Sequence, residues 1–170
     1  MNLKSFIRDI PDFPTKGVVF RDITPLLKDH NAIRYTEEAL LDLVGTLKID
    51  KVVGMESRGF FFAPMLAAKL NAGFVPVRKP GKLPFTTIRQ DYDLEYGTDA
   101  LEMHADALKK GDRVLIHDDV LATGGTAKAT CDLVAKMGGE IIQCNFLLEL
   151  DGLKGKEKLK DFEVNSLLHY

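Results

Sequence analysis

The chain has 170 residues, 45% of them hydrophobic, enough for one compact domain with a buried core. Lysine and arginine total 23 against 25 acids, a formal charge of -2 with both signs interspersed, which argues against a nucleic-acid or membrane surface. The mostly apolar run Phe60–Ala68 is too short to span a bilayer, and the first ten residues lack a signal peptide's uninterrupted apolar core, so a cytoplasmic protein is expected.

In chain order, residues 2–9 predict a short amphipathic helix stopped by Pro11 and Pro14, and Asp12 to Thr24 reads as a loop. Asn31 to Leu47 predicts a helix with an apolar stripe of Ile33, Leu40, Leu41, Val44 and Leu47. Lys51–Met55 predicts a strand, Gly59–Leu70 a helix and Phe74–Val77 a second strand. The polar stretch from Arg78 to Gly97, broken by Pro80, Gly81 and Pro84, predicts a long mobile loop, and loops of that length often act as active-site lids. Ala100–Met103 and Arg113–Ile116 predict strands, Ala127–Met137 a helix, and Glu140–Leu150 a long final core strand. Strands alternating with helices predict an α/β fold, a mainly parallel twisted sheet flanked by helices, with ligands at the C-terminal strand ends. No repeat or linker divides the chain, so residues 1–170 read as a single domain. Cys131 and Cys144 carry no metal spacing and are expected to be buried reduced thiols.

The stretch Val114 to Thr126, VLIHDDVLATGGT, is the most informative in the chain. A buried strand runs into paired acids and then into a glycine-rich turn at a helix N-terminus, where free N–H groups and the helix dipole favour an anion. Ala122, Thr123, Gly124, Gly125 and Thr126 would cradle a phosphate, and the carboxylates of Asp118 and Asp119 would accept hydrogen bonds from vicinal hydroxyls. That combination describes a ribose 5-phosphate. A P-loop is excluded because no lysine precedes Thr126, and a dinucleotide fingerprint because G-x-G-x-x-G is absent.

Val52–Phe60 repeats the strand–turn–helix logic, with Glu56, Ser57 and Arg58 offering a second anion site suited to pyrophosphate. The plainer alternative is that Ser57 caps the helix and Arg58 pairs with a surface acid. Arg78, Lys79 and Lys82 place three cations on the lid, where they would close over a polyanion. In Gly17–Arg21, Phe20 could stack on a planar ligand, although a phenylalanine is more often simple core. His104 and His117 show no catalytic partner and read as structural, while Lys69, Lys109 and Lys110 read as solvated surface.

VLIHDDVLATGGT resembles the phosphoribosyl-pyrophosphate motif of the type I phosphoribosyltransferase family. PDFPTKGVVFRDITPLLKD, GMESRGF, VRKPGKLP, YDLEYGT and LLELDGLKGKEKL are similar to its adenine-specific members, in the same order and over nearly the full length. The resemblance implies transfer of phosphoribosyl from phosphoribosyl pyrophosphate to adenine, giving AMP and pyrophosphate, with Mg²⁺ carried on the substrate rather than by direct protein ligands. It also implies a homodimer, a base-binding hood over residues 1–28 and a lid over residues 78–97. By the same carry-over, Asp118 and Asp119 hold the ribose, and Ala122 through Thr126 the 5′-phosphate. Glu56, Ser57, Arg58, Lys79 and Lys82 address pyrophosphate, Val19, Phe20 and Arg21 form the adenine site, and Arg78 and Tyr96 belong to the lid. Glu95 is the expected proton acceptor, with Arg58 and Lys82 aiding the leaving group. Two positions depart from the family pattern: His117 replaces an aliphatic residue, and Glu56 stands where aspartate is common. The rival readings are a phosphoribosyltransferase for hypoxanthine/guanine, xanthine or orotate, and a non-catalytic regulator sensing phosphoribosyl pyrophosphate.

Overall fold

Opposite charges order the first residues. In the computed structural model, which describes residues 1–93 and 97–170, β1 (Arg8–Pro11) and β2 (Val19–Asp22) form an antiparallel ribbon. Arg8 faces Asp22 and Asp9 faces Arg21, and both pairs form ion bridges. The helix expected over residues 2–9 is therefore only a 3-10 turn, Leu3–Phe6, capped by the Asn2 side chain, because cross-strand pairing outweighs a short helix. The expected loop from Asp12 to Thr24 likewise contains β2, followed by the short α1 (Thr24–Leu27). Helix α2 (His30–Val44) starts where Asp29 accepts from the N–H groups of Asn31 and Ala32 at 2.9 Å each. It buries Ala32, Thr36, Leu40 and Val44, one stripe at four-residue spacing. Gly45, with φ of 59°, ends it before the expected Leu47.

The central sheet has five strands in the order β4-β3-β7-β8-β9, every neighbouring pair parallel. They are β3 (Lys51–Met55), β4 (Gly73–Val77), β7 (Arg113–Leu121), β8 (Glu140–Glu149) and β9 (Val164–His169). Period-two alternation divides the core. Val53, Val114, Ile116 and Phe146 pack with Leu133 and Val134 of α4 (Gly125–Lys136) on one face. Val52, Leu115 and Leu147 pack with Leu40 of α2 and with Phe62 and Leu66 around α3 (Ala63–Lys69) on the other.

Four further expectations need correction. The helix expected over Gly59–Leu70 is split into a 3-10 turn, Arg58–Phe60, and α3, with Pro64 in the first turn of α3. Strand β7 runs through both acids to Leu121, because Asp118, Val120 and Leu121 continue to pair with Phe146, Leu148 and Glu149 of β8. The stretch from Arg78 to Gly97 is not irregular throughout. It contains β5 (Thr87–Asp93), which pairs antiparallel with β6 (Thr98–His104), and Ile88 and Tyr92 rest on the α4-side core. The polar residues Arg89, Gln90 and Asp91 concealed that strand. Finally, β8 is not the last core strand, since β9 pairs beyond it as a half-exposed edge. Cys131 and Cys144 are free and buried with sulfurs 3.8 Å apart, as expected. Among the described residues no helix is long and apolar enough to cross a membrane.

Candidate active site

The C-terminal end of β7 delivers the expected phosphate cradle. Leu121 ends the strand, and Gly124, with φ of 77°, turns the chain into α4 without a side-chain cap bond, leaving the first helical N–H groups for a ligand. Ala122, Thr123, Gly124, Gly125 and Thr126 line a small cavity of about 80 Å³ that Asp118 also borders. Behind it stands Gly155, which local sequence reasoning did not single out. A Cβ on Gly155 would lie 2.2 Å from the Ala122 carbonyl oxygen, and one on Gly124 would lie 2.4 Å from the Gly155 carbonyl oxygen. The cradle is thus braced by the backbone of the segment after β8, at a spacing only two glycines permit.

The acid pair is crowded. The Asp119 side chain is 3% exposed, and its N–H donates to Asp118 Oδ1 at 2.9 Å. Gly59 lets the Arg58 turn lie against β7, since a Cβ there would meet Asp118 Oδ1 at 2.9 Å. Arg58 Nε consequently comes within 3.0 Å of Asp119 Oδ2. Burial, and then the neighbouring Asp119 charge, push Asp118 well above the ordinary carboxylate range. Burial also raises Asp119, against the opposing pull of Arg58. Asp119 Oδ2 has no aligned hydrogen-bond donor among the described residues despite the ion contact. Carboxylates in this condition gain from hydroxyl donors, which is what a vicinal diol offers.

A second cavity of about 350 Å³ adjoins the first, and the two share Asp118, Val120, Ala122 and Thr126. Its far wall is Glu56, Ser57, Arg58 and Lys79. The plainer reading of the turn fails, because Ser57 makes no cap bond and Arg58 pairs with a buried acid. Glu56 Oε2 accepts from Arg78 Nε at 3.2 Å and from the Lys79 N–H at 2.9 Å, so this carboxylate fastens the base of the cation turn. Of the three cations expected on a lid, Lys79 lines the cavity whereas Arg78 and Lys82 do not. Arg78 is spent on Glu56 and on the Lys82 carbonyl, and Lys82 is exposed.

Phe20 is half-buried, with the Phe13 ring edge-on at 5.2 Å and the Arg58 guanidinium 5.0 Å from its centroid. Arg58 therefore links the aromatic platform to the acid pair. Val19 is exposed, while the Arg21 side chain turns away to Asp9 and lies 4.3 Å over the Tyr170 ring. The Arg21 side chain is thus withdrawn, while the backbone groups of Val19 and Arg21, two apart on β2, share one strand edge. Glu95 and Tyr96 lie outside the described residues. His117 is buried and meets Asn145 Oδ1 through Nδ1 at 2.7 Å, and burial lowers its pKa to about 4, a neutral structural histidine. His104 Nε2 accepts from the Phe85 N–H at 3.4 Å.

Residues 23–167 match the model of the phosphoribosyl transferase domain family. The chain is 64% identical to the adenine phosphoribosyltransferase of Christiangramia forsetii, over 100% of this chain and 99% of that one. The crystal structure of adenine phosphoribosyltransferase from Thermoanaerobacter pseudethanolicus superposes with a TM-score of 0.97 at 50% identity, covering 99% of this chain and 98% of that one. That of Saccharomyces cerevisiae, complexed with D-2,5-dideoxy-2,5-imino-altritol 1,6-bisphosphate and adenine, gives 0.90 at 41% identity, covering 95% and 94%.

Proposed function

The chain belongs to the adenine phosphoribosyltransferase family, whose enzymes join adenine to phosphoribosyl pyrophosphate to give AMP and pyrophosphate, and we propose how its own residues divide that reaction. The reaction places this chain in purine salvage. One observation carries the division of labour: an aromatic platform, a cation cleft, an acid pair and a phosphate cradle are contiguous, joined through Arg58, Asp118 and Ala122. That row matches base, pyrophosphate, ribose and 5′-phosphate.

Ala122 through Thr126 bind the 5′-phosphate, and Asp118 with Asp119 hold the ribose hydroxyls. Displacement at the anomeric carbon passes through an oxocarbenium-like state, so stabilising the leaving group matters more than a strong nucleophile. Arg58 and Lys79 belong to the cleft wall from which pyrophosphate departs, with Ser57 beside them. Lys82 joins them only if the exposed turn moves inward. Glu56 acts from one step back, by holding Arg78 and the Lys79 backbone. Phe20 stacks on adenine, and the backbone of Val19 and Arg21 reads its edge. Glu95 accepts the adenine proton.

The donor set fits a magnesium ion carried by substrate. Three carboxylates, Glu56, Asp118 and Asp119, line the cleft; Arg78 pairs with Glu56 and Arg58 with Asp119, which leaves Asp118 without an ion pair among the described residues. Among the described residues the ligand-spaced cluster Glu149, Asp151 and His169 lines neither cavity. Asp118, Asp119 and Ser57 would steady the substrate-borne ion, which would supply charge neutralisation of the pyrophosphate. A single domain over residues 1–170, with residues 1–28 as base hood and 78–97 as lid, a homodimer and a cytoplasmic location belong to the same reading, carried by the family likeness.

The test is pyrophosphate release with Mg²⁺ and phosphoribosyl pyrophosphate, offering adenine, hypoxanthine, guanine, xanthine and orotate separately. Turnover with adenine alone is expected. Turnover with another base would refute the Val19–Arg21 pocket, and silence with all five in folded protein would favour a sensing regulator.

A further inference from the structure

Lys79 lines the cleft, but its ammonium is bonded to two residues that do not. The Lys79 Nζ bonds to Asp99 Oδ2 and lies 3.1 Å from Tyr92 Oη, and Tyr92 in turn donates to the same Asp99 oxygen at 3.2 Å. Tyr92 and Asp99 are directly opposed across β5 and β6, and neither lines the cleft. The other Asp99 oxygen accepts from the Ala100 N–H at 2.8 Å, which pins the carboxylate in place. The root of Lys79 is also fixed. Its N–H donates to Glu56, and Arg78 next to it exchanges two backbone bonds with Glu102 of β6, at 2.9 and 2.7 Å. Only the four-carbon stem is left to swing, carrying a point charge between a carboxylate on one side and the cleft on the other.

We propose that Asp99 is a latch, a positioning residue that competes with pyrophosphate for the Lys79 ammonium. The proposal rests on assigning the Glu56–Lys79 cleft to pyrophosphate. A bound pyrophosphate draws Lys79 off Asp99, and a departing one returns it, so the charge left behind on release is compensated inside the ribbon. Asp99 thereby weakens pyrophosphate binding and eases product release, and Tyr92, bonded to both partners, supports the closed position.

Pyrophosphate, with and without magnesium, is titrated calorimetrically into the wild-type chain, Asp99→Asn, Lys79→Gln and the double variant. Half-exposed ion pairs shift an equilibrium roughly two- to fivefold, so Asp99→Asn is expected to tighten pyrophosphate by about that factor. Lys79→Gln weakens it, and in that background Asp99→Asn has no further effect. AMP, which presents no pyrophosphate, binds wild type and Asp99→Asn alike. In turnover Asp99→Asn lowers KM for phosphoribosyl pyrophosphate without moving KM for adenine. Should Asp99→Asn fail to fold, Tyr92→Phe keeps the ring against α4 and must tighten pyrophosphate in the same direction. Unchanged or weaker binding in Asp99→Asn, or an equal shift without Lys79, overturns the latch while leaving the cleft assignment standing. A wild-type chain that binds no pyrophosphate overturns the cleft assignment and the latch with it.

Discussion

Arg58 Nε lies 3.0 Å from Asp119 Oδ2, and the same guanidinium sits 5.0 Å from the centroid of Phe20. One side chain therefore touches the residues assigned to ribose and to base. Arg58→Ala is expected to lower kcat/KM by about 100-fold, the scale of losing one preorganised donor facing developing charge. Because Phe20 loses its neighbour, KM for adenine rises as well as KM for phosphoribosyl pyrophosphate. A defect confined to one substrate would show that Arg58 does not couple the two.

Asp118→Asn with Asp119→Asn should cripple turnover by a similar factor while the fold survives, as read by circular dichroism. Both acids titrate above their ordinary value in the folded chain, chiefly through burial. A carboxylate raised on folding binds protons more tightly in the folded state, so stability is full below the ordinary value near 3.8 and declines as pH rises through the raised values. In the absence of substrate the double variant should lose that decline. Wild-type turnover in it would displace the ribose from this pair.

His117 gives the opposite slope. Burial lowers it from 6.5 to about 4, so its contribution is complete above 6.5 and is lost as pH falls from 6.5 to about 4. That window corresponds to about 3 kcal/mol. His117→Gln keeps a donor for Asn145 but removes the titration. Urea unfolding at pH 7 and pH 4 should show wild type losing more stability than His117→Gln by roughly that amount, and parallel losses would contradict a neutral buried imidazole.

Gly155→Ala tests the brace behind the cradle. Its Cβ would stand 2.2 Å from the Ala122 carbonyl oxygen, a backbone atom that cannot rotate away. Overpacking of this kind typically costs about 1–3 kcal/mol, and here the displacement falls on the Ala122–Thr126 loop. AMP binding should weaken more than global stability falls. Unchanged AMP affinity would mean that the loop holds its shape without this support.

Glu95→Gln separates proton transfer from binding. Loss of the acidic limb of the pH–rate profile is expected with KM little changed, whereas an unaltered profile would remove Glu95 as the base.

The cradle and the acid pair were readable in advance because they are contiguous: a strand, two acids, two glycines and a helix start need no distant residue to make an anion site. Sheet class and strand positions were readable for the same local reason, in the hydrophobic runs at Lys51–Met55 and Arg113–Ile116. The β1–β2 ribbon, β5 and β9 were not, because their pairing partners, rather than their own hydrophobic pattern, hold them in place. Gly155 was invisible as a site residue since its role is to be absent from a space that only the fold creates.

Sequence alone determined the chemistry this chain can offer: backbone amides at a glycine-rich helix start, paired carboxylates, cations and an aromatic ring. Only the tertiary structure decided which groups meet. It placed Arg58 rather than Arg78 beside the acids, turned the Arg21 side chain away, gave Lys79 to Asp99 and left Lys82 outside. The reason is physical. Residue type sets charge and hydrogen-bonding capacity, but partner choice depends on distances of a few ångströms between segments far apart in sequence. Those distances are set by strand order, by Gly59 against β7 and by the packing of the β5–β6 ribbon on α4.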